Sequence, residues 1–288
     1  MKKILPLLLT ALPGVSCLGT CARAGENTMR HEISIGSENG LTLRGYLLGP
    51  AAALGGKQKC PLVILMHGLM DSGEFTLIRR QAEAYAQAGY AVLAVDFDGH
   101  GRSDGALLNM TISKEVADAE AILAYAQGLP FASRFILTGH SQGGVVASIL
   151  AARHPDAIDD LILLAPAGML PDRFRAGTCF GTRFSPADPP ERVMVFDDYV
   201  GRGYIVDAMQ LDLYALAAGY HGHPVLLLAG GEDPLVSPEA VQRYVTLYSR
   251  PEAGNMVTLR VIGGAPHDFA GHEDEVVTAV LTHLSEGR

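Results

Sequence analysis

The sequence contains few cysteines, no internal repeat and no low-complexity tract, and each absence narrows the class of protein. Four of its 288 residues are cysteine, and only Cys60 and Cys179 lie after residue 24. These two could pair in an oxidising compartment, although isolated cysteines are more often small buried residues. The lack of repeats excludes solenoid and fibrous architectures. A chain of this length with 48% apolar residues predicts one globular domain, with or without an insertion.

Basic residues are also scarce relative to acidic ones. The chain has 22 Lys and Arg against 31 Asp and Glu, which gives a formal net charge of −9. Proteins that bind nucleic acids rely on basic patches that neutralise phosphates. The acidic balance therefore argues against a nucleic-acid partner, but it does not identify a substrate.

The N-terminal apolar run has the three parts of a secretory signal peptide. Lys2 and Lys3 give a basic start, residues 4–19 are mostly apolar, and Ala22-Arg23-Ala24 resembles a cleavage site. We therefore expect a signal peptide over residues 1–24, a mature domain over residues 25–288, and export to the periplasm or the extracellular space. Loss of the signal removes three basic residues and no acidic one, so that the net charge of −9 becomes −12.

Two other interpretations of this run remain open. A membrane anchor needs a longer uninterrupted span, and Pro6, Pro13 and Gly14 break the run. A lipoprotein signal would place its lipid on Cys17 or Cys21, but the residues before each cysteine fit that signal poorly. No later segment approaches a membrane span, so we expect none in the mature chain.

The rest of the chain alternates between strand-like and helix-like segments. Alternating polarity at residues 29–35 and 41–48 predicts an N-terminal hairpin. Short apolar runs predict strands buried on both faces at 62–66, 91–95, 135–137, 161–164, 225–228 and 257–261. Helical periodicity occurs at 74–88, 113–127, 144–153, 238–248 and 273–284. This alternation predicts an α/β fold, with a mainly parallel sheet, helices on both faces and the antiparallel hairpin extending one edge.

One interval, residues 168–206, lacks buried-strand runs and is rich in proline and charge. Its position between two predicted core strands predicts a small insertion over the carboxyl edge of the sheet. It holds six of the chain's aromatic residues: Phe174, Phe180, Phe184, Phe196, Tyr199 and Tyr204. Aromatic side chains serve both packing and binding, so a cap with its own small core and a set of substrate contacts are both open for each of them.

The pentapeptide Gly139-His140-Ser141-Gln142-Gly143 joins a predicted strand to a predicted helix. A serine on such a sharp turn is the nucleophile arrangement of the α/β-hydrolase fold. A side chain two residues before or after the serine would collide with the neighbouring strand and helix, which explains the two glycines. The bare pattern also arises by chance in a glycine-rich chain, so its weight depends on partner residues elsewhere.

Partners for Ser141 follow two later predicted strands in the required order. Asp233 and His267 each come after a buried strand, and the order Ser, Asp, His is the one that this fold uses. The carboxyl ends of parallel strands meet at one edge of the sheet. We predict Ser141 as nucleophile, His267 as general base and then general acid, and Asp233 as the residue that fixes the imidazole tautomer. Glu232 is the alternative acid, but the shorter carboxylate of Asp233 fits the spacing better.

The oxyanion of an acyl-transfer reaction needs two backbone N–H donors. One is expected from Gln142, the residue after the nucleophile, and the other from Leu69 in the loop after an earlier strand. His67, in the same loop, is placed among the residues near the substrate. We interpret it as a structural hydrogen-bonding residue rather than as a catalyst.

The loop at residues 96–105 carries turn-forming residues throughout. Asp96, Asp98 and Asp104 lack the twelfth-position glutamate of a calcium loop. The glycines at 99 and 101 do not open a helix as a dinucleotide motif requires. We therefore predict no metal and no cofactor.

With these motifs in place, the chain resembles the bacterial feruloyl (cinnamoyl) esterases of the α/β-hydrolase superfamily, from about Ile33 to Leu284. The subfamily resemblance is carried by residues 98–105, 139–147, 164–167 and 201–204. It implies hydrolysis of hydroxycinnamate esters without a cofactor, a small-molecule ester as partner, and an insertion that forms a lid over the aromatic acid. It also implies that Tyr204 reaches the phenolic end, with Asp172 nearby, although Arg173 aligns equally well at that position. A homodimer is left open.

Other activities remain open on the same residues. A monoacylglycerol or short-chain lipid esterase should have an apolar lid, whereas this insertion is strongly charged. A serine peptidase or an acyltransferase could use the same triad. A non-catalytic binding protein of this fold usually lacks the nucleophile or the base, and this sequence has both.

Overall fold

An eight-stranded sheet organises the part of the chain that the computed structural model describes, residues 27–38 and 40–286. The predicted signal peptide, with Cys17 and Cys21, lies outside the described residues. The strands are β1 (Thr28–Gly36), β2 (Thr42–Pro50), β3 (Cys60–Met66), β4 (Ala91–Val95), β5 (Ala132–His140), β6 (Asp160–Leu164), β7 (Thr178–Cys179), β8 (Thr182–Arg183), β9 (Arg192–Val195), β10 (Asp198–Gly201), β11 (Pro224–Gly230) and β12 (Met256–Ile262).

Helices flank this sheet. They are α1 (Ala51–Leu54), α2 (Thr76–Gln87), α3 (Ile112–Gln127), α4 (Gln142–Arg153), α5 (Leu170–Arg175), α6 (Arg202–Gln210), α7 (Leu213–Ala217), α8 (Pro238–Tyr248) and α9 (Glu273–Glu286). Short 3₁₀ helices lie at Leu107–Asn109, Pro155–Ala157 and Pro251–Ala253. Side chains cap several helices, as at α3, where the Thr111 hydroxyl accepts a hydrogen bond from the Lys114 amide.

The strand order is β1-β2-β4-β3-β5-β6-β11-β12. The β1–β2 hairpin is antiparallel and joins β4 in antiparallel register, whereas β3, β4, β5, β6, β11 and β12 run parallel. The predicted α/β fold, with a mainly parallel sheet and an antiparallel hairpin at one edge, is confirmed. Because the parallel strands end at the same edge, the loops after β3, β4, β5, β11 and β12 converge there.

Burial along the strands follows their position in the sheet. Every residue of β4 and β6 is buried, as their uninterrupted apolar runs predict. The prediction that the run at 257–261 is buried on both faces is wrong. It forms β12, which pairs only with β11, and Met256 and Val261 are 66% and 51% exposed. An edge strand presents an open side to solvent, so apolar character alone does not report its burial.

The interval between β6 and β11 contains more regular structure than the sequence predicts. It holds α5, two short hairpins (β7–β8 and β9–β10) and α6, which continues past residue 206 to Gln210. Its interior is a small core of residues that are almost fully buried: Phe174, Cys179, Val193, Val195, Val200, Tyr204 and Ile205. Strands of two to four residues are too short to give a period, so a hydrophobicity pattern does not detect them.

The two cysteines of the domain do not pair. Cys60 lies at the start of β3 and Cys179 in β7, and both thiols are free and buried. Burial raises the pKa of both thiols, that of Cys179 to about 12. They are therefore neutral small side chains in two separate parts of the core.

We expect replacement of Gly143 by alanine to destabilise the fold strongly. A Cβ at this position would lie 2.3 Å from the His67 carbonyl oxygen and 2.4 Å from that of Met66, so α4 would have to move away from β3. Overpacking of this kind should cost about 2 kcal/mol or more of unfolding free energy, measured by urea denaturation followed by circular dichroism.

Gly36→Ala is the matched control, since a Cβ there meets no atom within 4 Å, and it should change the unfolding free energy by about 0.5 kcal/mol or less. Equal effects of the two substitutions would contradict the close packing of α4 on β3.

Candidate active site

Ser141 occupies the turn between β5 and α4 in a strained backbone conformation. Its φ of 54° and ψ of −118° are rare for a residue with a side chain. Its amide donates to the Leu164 carbonyl at 2.9 Å, which ties the turn to β6. A Cβ at Gly139 would lie 2.3 Å from the Gly143 carbonyl oxygen. The two glycines therefore permit the close approach of strand and helix that raises the serine hydroxyl above the sheet.

The structure brings Ser141, His267 and Asp233 together in one hydrogen-bonded chain. His267 Nε2 lies 2.8 Å from Ser141 Oγ, and its Nδ1 lies 2.7 Å from Asp233 Oδ2. A carboxylate only accepts, so His267 Nδ1 carries the proton and donates it to Asp233. Nε2 is then free to accept the hydroxyl proton of Ser141.

Asp233 is held in place by the backbone that follows it. Its second oxygen, Oδ1, accepts hydrogen bonds from the amides of Leu235 and Val236, both at 2.8 Å. The Asp233 side chain is 0% exposed, whereas Glu232 is exposed to solvent. The geometry thus selects Asp233 over Glu232 as the partner of His267.

Leu69 and Gln142 are the residues predicted to supply the two oxyanion donors. Both line the same cavity as Ser141. Among the described residues, no acceptor takes a hydrogen bond from either backbone amide. Gln142 is the first residue of α4, and the positive end of the helix dipole adds to its donor strength.

The Gln142 side chain links the insertion to the body of the domain. Tyr204 Oη, on α6, donates to Gln142 Oε1 at 2.6 Å, and Gln142 Nε2 donates to Glu115 Oε2 at 2.7 Å. Burial raises the pKa of Glu115 to about 8, with smaller contributions in the same direction from Asp118, Asp98 and Asp207, so the carboxyl is protonated at neutral pH. This network fixes the side chain of the residue whose backbone amide is a predicted oxyanion donor.

His100 faces the same carboxyl from the loop after β4. Its Nε2 lies 4.0 Å from Glu115 Oε1, and its Nδ1 donates to the Asp98 carbonyl at 3.0 Å. Burial lowers the pKa of His100 to about 4, so the ring is neutral at neutral pH. The pair formed by Glu115 and His100 beneath the cavity is therefore polar but uncharged at neutral pH.

Three residues expected near the substrate lie elsewhere. Tyr204 is fully buried and bonded to Gln142, and Asp172 is exposed on α5, where it pairs with Arg243 at 2.9 Å. His67 is 1% exposed, donates from Nδ1 to the Gly68 carbonyl and accepts from the Phe97 amide. None of the three lines the cavity. The expectation of substrate contact is thus not met for Tyr204, Asp172 or His67, and only the structural role of His67 agrees with its placement.

A cavity of about 690 Å³ opens above Ser141. Its apolar walls come from both the domain body and the insertion, with aromatic rings from each. The lining residues are Gly68, Leu69, Met70, Asp71, Phe75, Gly99, His100, Gly101, Leu107, His140, Ser141, Gln142, Leu170, Phe180, Phe196, Asp197, Asp198, Leu235, His267 and Asp268. Of the six aromatics noted in the insertion, Phe180 and Phe196 reach the cavity.

Sequence reasoning missed Asp71 and Glu115. Asp71 lies five residues after the end of β3, at the edge of the sheet where reactive groups gather. This position could have indicated it as a candidate site residue. Glu115 falls on the apolar face of α3, in helical register with Ile112, Ala119 and Ile122. A carboxyl at a core position of an amphipathic helix indicates a buried polar network.

Within residues 27–38 and 40–286, no group of three or more His, Cys, Asp or Glu side chains is placed to hold a metal ion. In that same part of the chain, no helix has the length and apolar character needed to cross a membrane.

Comparison with known proteins relates this geometry to several hydrolases. The model of a family described as serine aminopeptidase S33 matches residues 57–185. Est1E from Butyrivibrio proteoclasticus, in a structure with ferulic acid bound, superposes with a TM-score of 0.80 and 31% identity, over 88% of this chain and 98% of that one.

Two curated relatives differ in how much of them the chain covers. A monoacylglycerol lipase of Mycolicibacterium smegmatis is 32% identical over 77% of this chain and 89% of its own length. A pyrethroid hydrolase of Sphingobium wenxiniae is 36% identical over 39% of each chain, so this chain spans less than half of that protein.

We expect the stability of the protein to carry a signature of the neutral Glu115. In the unfolded chain this carboxyl ionises near its ordinary pKa of 4.5, but in the folded protein it keeps its proton up to about pH 8. The unfolded state therefore binds fewer protons between these values, and stability falls as pH rises through that window. Glu115→Gln removes this dependence. The difference in unfolding free energy, variant minus natural protein, should therefore increase by about 2 kcal/mol or more between pH 5 and pH 8.

Urea denaturation at both pH values measures this change, and Glu286→Gln, at an exposed position, is the control that should show no such trend. A difference between Glu115→Gln and the natural protein that is the same at both pH values would show that Glu115 is ionised in the fold.

Proposed function

The chain belongs to the α/β-hydrolase superfamily of serine hydrolases, and on that premise we propose that it is a carboxylesterase using Ser141, His267 and Asp233. The observation that carries the proposal is the pair of hydrogen bonds of 2.8 and 2.7 Å that joins the serine hydroxyl to the imidazole and the imidazole to the carboxylate. This arrangement orients the hydroxyl, the imidazole and the carboxylate as acyl transfer needs.

The reaction proceeds through an acyl-enzyme. His267 Nε2 accepts the Ser141 proton as Oγ bonds to the ester carbonyl carbon, and the Leu69 and Gln142 amides donate to the resulting oxyanion. Collapse of this intermediate breaks the bond to the alcohol oxygen, which takes the proton from His267. Water then attacks the acyl carbon as His267 takes its proton, the bond from the acyl carbon to Ser141 Oγ breaks, and His267 returns the proton to Oγ as the carboxylic acid leaves.

Hydroxycinnamate esters are the substrate class that we propose. The similarity to Est1E, whose structure holds ferulic acid, supports this choice, and so do Phe75, Phe180 and Phe196 in the cavity. Aromatic acids pack well against such rings in offset or edge-on arrangements. Since Tyr204 and Asp172 lie outside the cavity, the acyl ring would be held by these phenylalanines.

A monoacylglycerol esterase is the second candidate, favoured by the Mycolicibacterium relative. A peptidase is the third, favoured by the family whose model matches residues 57–185. Four aspartates in the cavity lining make it less apolar than long acyl chains require.

Ser141→Ala should abolish hydrolysis of p-nitrophenyl acetate, because it removes the hydroxyl that forms the acyl-enzyme. Asp233→Asn should lower kcat by about 10⁴-fold, because the amide favours the wrong imidazole tautomer. Steady-state assays measure both effects, and circular dichroism checks that each variant is folded. Asp268→Asn, next to the base but outside the hydrogen-bonded chain, is the control and should keep kcat within about tenfold. Turnover by Ser141→Ala at the natural rate would remove Ser141 from the mechanism.

The substrate class is tested by comparing kcat/KM on methyl ferulate, a monoacylglycerol of short chain and an aminoacyl amide. We expect methyl ferulate to be preferred by about tenfold or more, since its ring fills the aromatic part of the cavity. Preference for the glyceride would support the lipid esterase instead, and preference for the amide would support the peptidase.

A further inference from the structure

Two hydrogen-bond acceptors face each other at the base of the cavity. His140 Nε2 donates to the His267 carbonyl at 2.9 Å, so in the neutral ring Nδ1 carries a lone pair. This Nδ1 has no hydrogen-bond partner among the described residues, although the side chain is only 2% exposed. Asp71 Oδ2 lies 3.7 Å from it, close enough to share one donor with it. As long as the His140 ring is neutral, neither group can satisfy the other, because both accept.

The same two groups converge on the space beside the nucleophile. A Cβ at Gly68 would lie 3.1 Å from Asp71 Oδ2, 3.2 Å from His140 Nδ1 and 3.3 Å from Ser141 Cβ. The absence of a side chain at Gly68 keeps this space open, and all four residues line the cavity. The side chain of Asp71 is 18% exposed and that of His140 is 2% exposed, so a donor group of a bound molecule approaches through Asp71 Oδ2, with His140 Nδ1 3.7 Å away.

The acidic residues that line the cavity favour a cationic ligand. Besides Asp71, the cavity is lined by Asp197, Asp198 and Asp268, and no lysine or arginine is among the described residues that line it. No described residue donates a hydrogen bond to the Asp71 carboxylate. A protonated amine supplies both the N–H that the two acceptors lack and the charge that complements the carboxylates.

The position of His140 indicates which part of the substrate meets these acceptors. The His140 and His267 rings lie 5.0 Å apart, and the two residues are joined by the Nε2-to-carbonyl hydrogen bond. The leaving alcohol must sit within reach of His267 Nε2 to take its proton. His140 thus lies beside the base that protonates the alcohol, which favours the alcohol part of the ester as the partner of these acceptors, while Phe180 and Phe196 of the insertion are available to the acyl group.

We propose that Asp71 and Nδ1 of His140 form a subsite for a protonated amine carried by the alcohol part of the ester. The natural substrate class is then an ester of an amino alcohol. The inference rests on the proposed esterase function and adds a preference within it.

Three ferulate esters of matched shape test the subsite at pH 7.5. The 3-(dimethylammonio)propyl ester carries both the charge and an N–H, the 3-(trimethylammonio)propyl ester carries the charge without a donor, and the 4-methylpentyl ester has neither. We expect kcat/KM for the dimethylammonio ester to exceed that of the methylpentyl ester by about tenfold or more, with the trimethylammonio ester in between.

Asp71→Asn removes the charge and preserves the shape. It should reduce the ratio of kcat/KM between the dimethylammonio and methylpentyl esters to about threefold or less. This ratio does not depend on the concentration of folded enzyme, so partial misfolding of the variant does not affect it. Asp156→Asn, at an exposed position outside the cavity, is the control and should leave the ratio unchanged within about twofold.

Different results overturn different claims. Hydrolysis of the three esters at similar rates would contradict the amine subsite and leave the esterase in place. Equal rates for the two cationic esters, or a ratio that Asp71→Asn does not change, would assign any preference to the acidic wall as a whole and overturn the subsite. Failure to hydrolyse any of the three would contradict the proposed function itself.

Discussion

The backbone of Ser141 is the constraint on which the site depends. Its φ of 54° turns the chain from β5 into α4 within one residue, so that the hydroxyl points to His267 and the Gln142 amide faces the cavity. Such a conformation costs free energy, of the order of 1–3 kcal/mol for a residue with a side chain. It is maintained because the glycines at 139 and 143 let β5, α4 and β3 approach one another closely.

The second constraint is the Gln142 side chain, which joins three parts of the molecule. It accepts from Tyr204 of α6 and donates to Glu115 of α3, while the backbone amide of the same residue is a proposed oxyanion donor. Because Glu115 is neutral, the network places no charge behind that donor. A buried anion there would oppose the negative charge that develops on the substrate. The insertion is thus tied to the edge of the sheet that carries Ser141, and it contributes Leu170, Phe180, Phe196, Asp197 and Asp198 to the cavity lining.

The sequence was sufficient to predict the sheet, its main helices and the relative order of the reactive residues. Short apolar runs such as 161–164 predict buried strands. The loops after parallel strands meet at one edge of the sheet, so Ser141, Asp233 and His267 could be expected to converge there. The short hairpins of the insertion have no detectable period. The direction of a side chain such as Tyr204 depends on packing between segments far apart in sequence. The approach of Asp71 Oδ2 to within 3.7 Å of His140 Nδ1 depends on the same tertiary contacts.

The central claim is that Ser141 is a nucleophile activated by His267. The most direct measurement is covalent labelling with a fluorophosphonate, followed by mass spectrometry of the digested protein. We predict one label per chain, on the peptide that contains Ser141, and loss of rapid labelling in the His267→Ala variant. A label on another residue, or equally fast labelling of Ser141 without His267, would contradict the account.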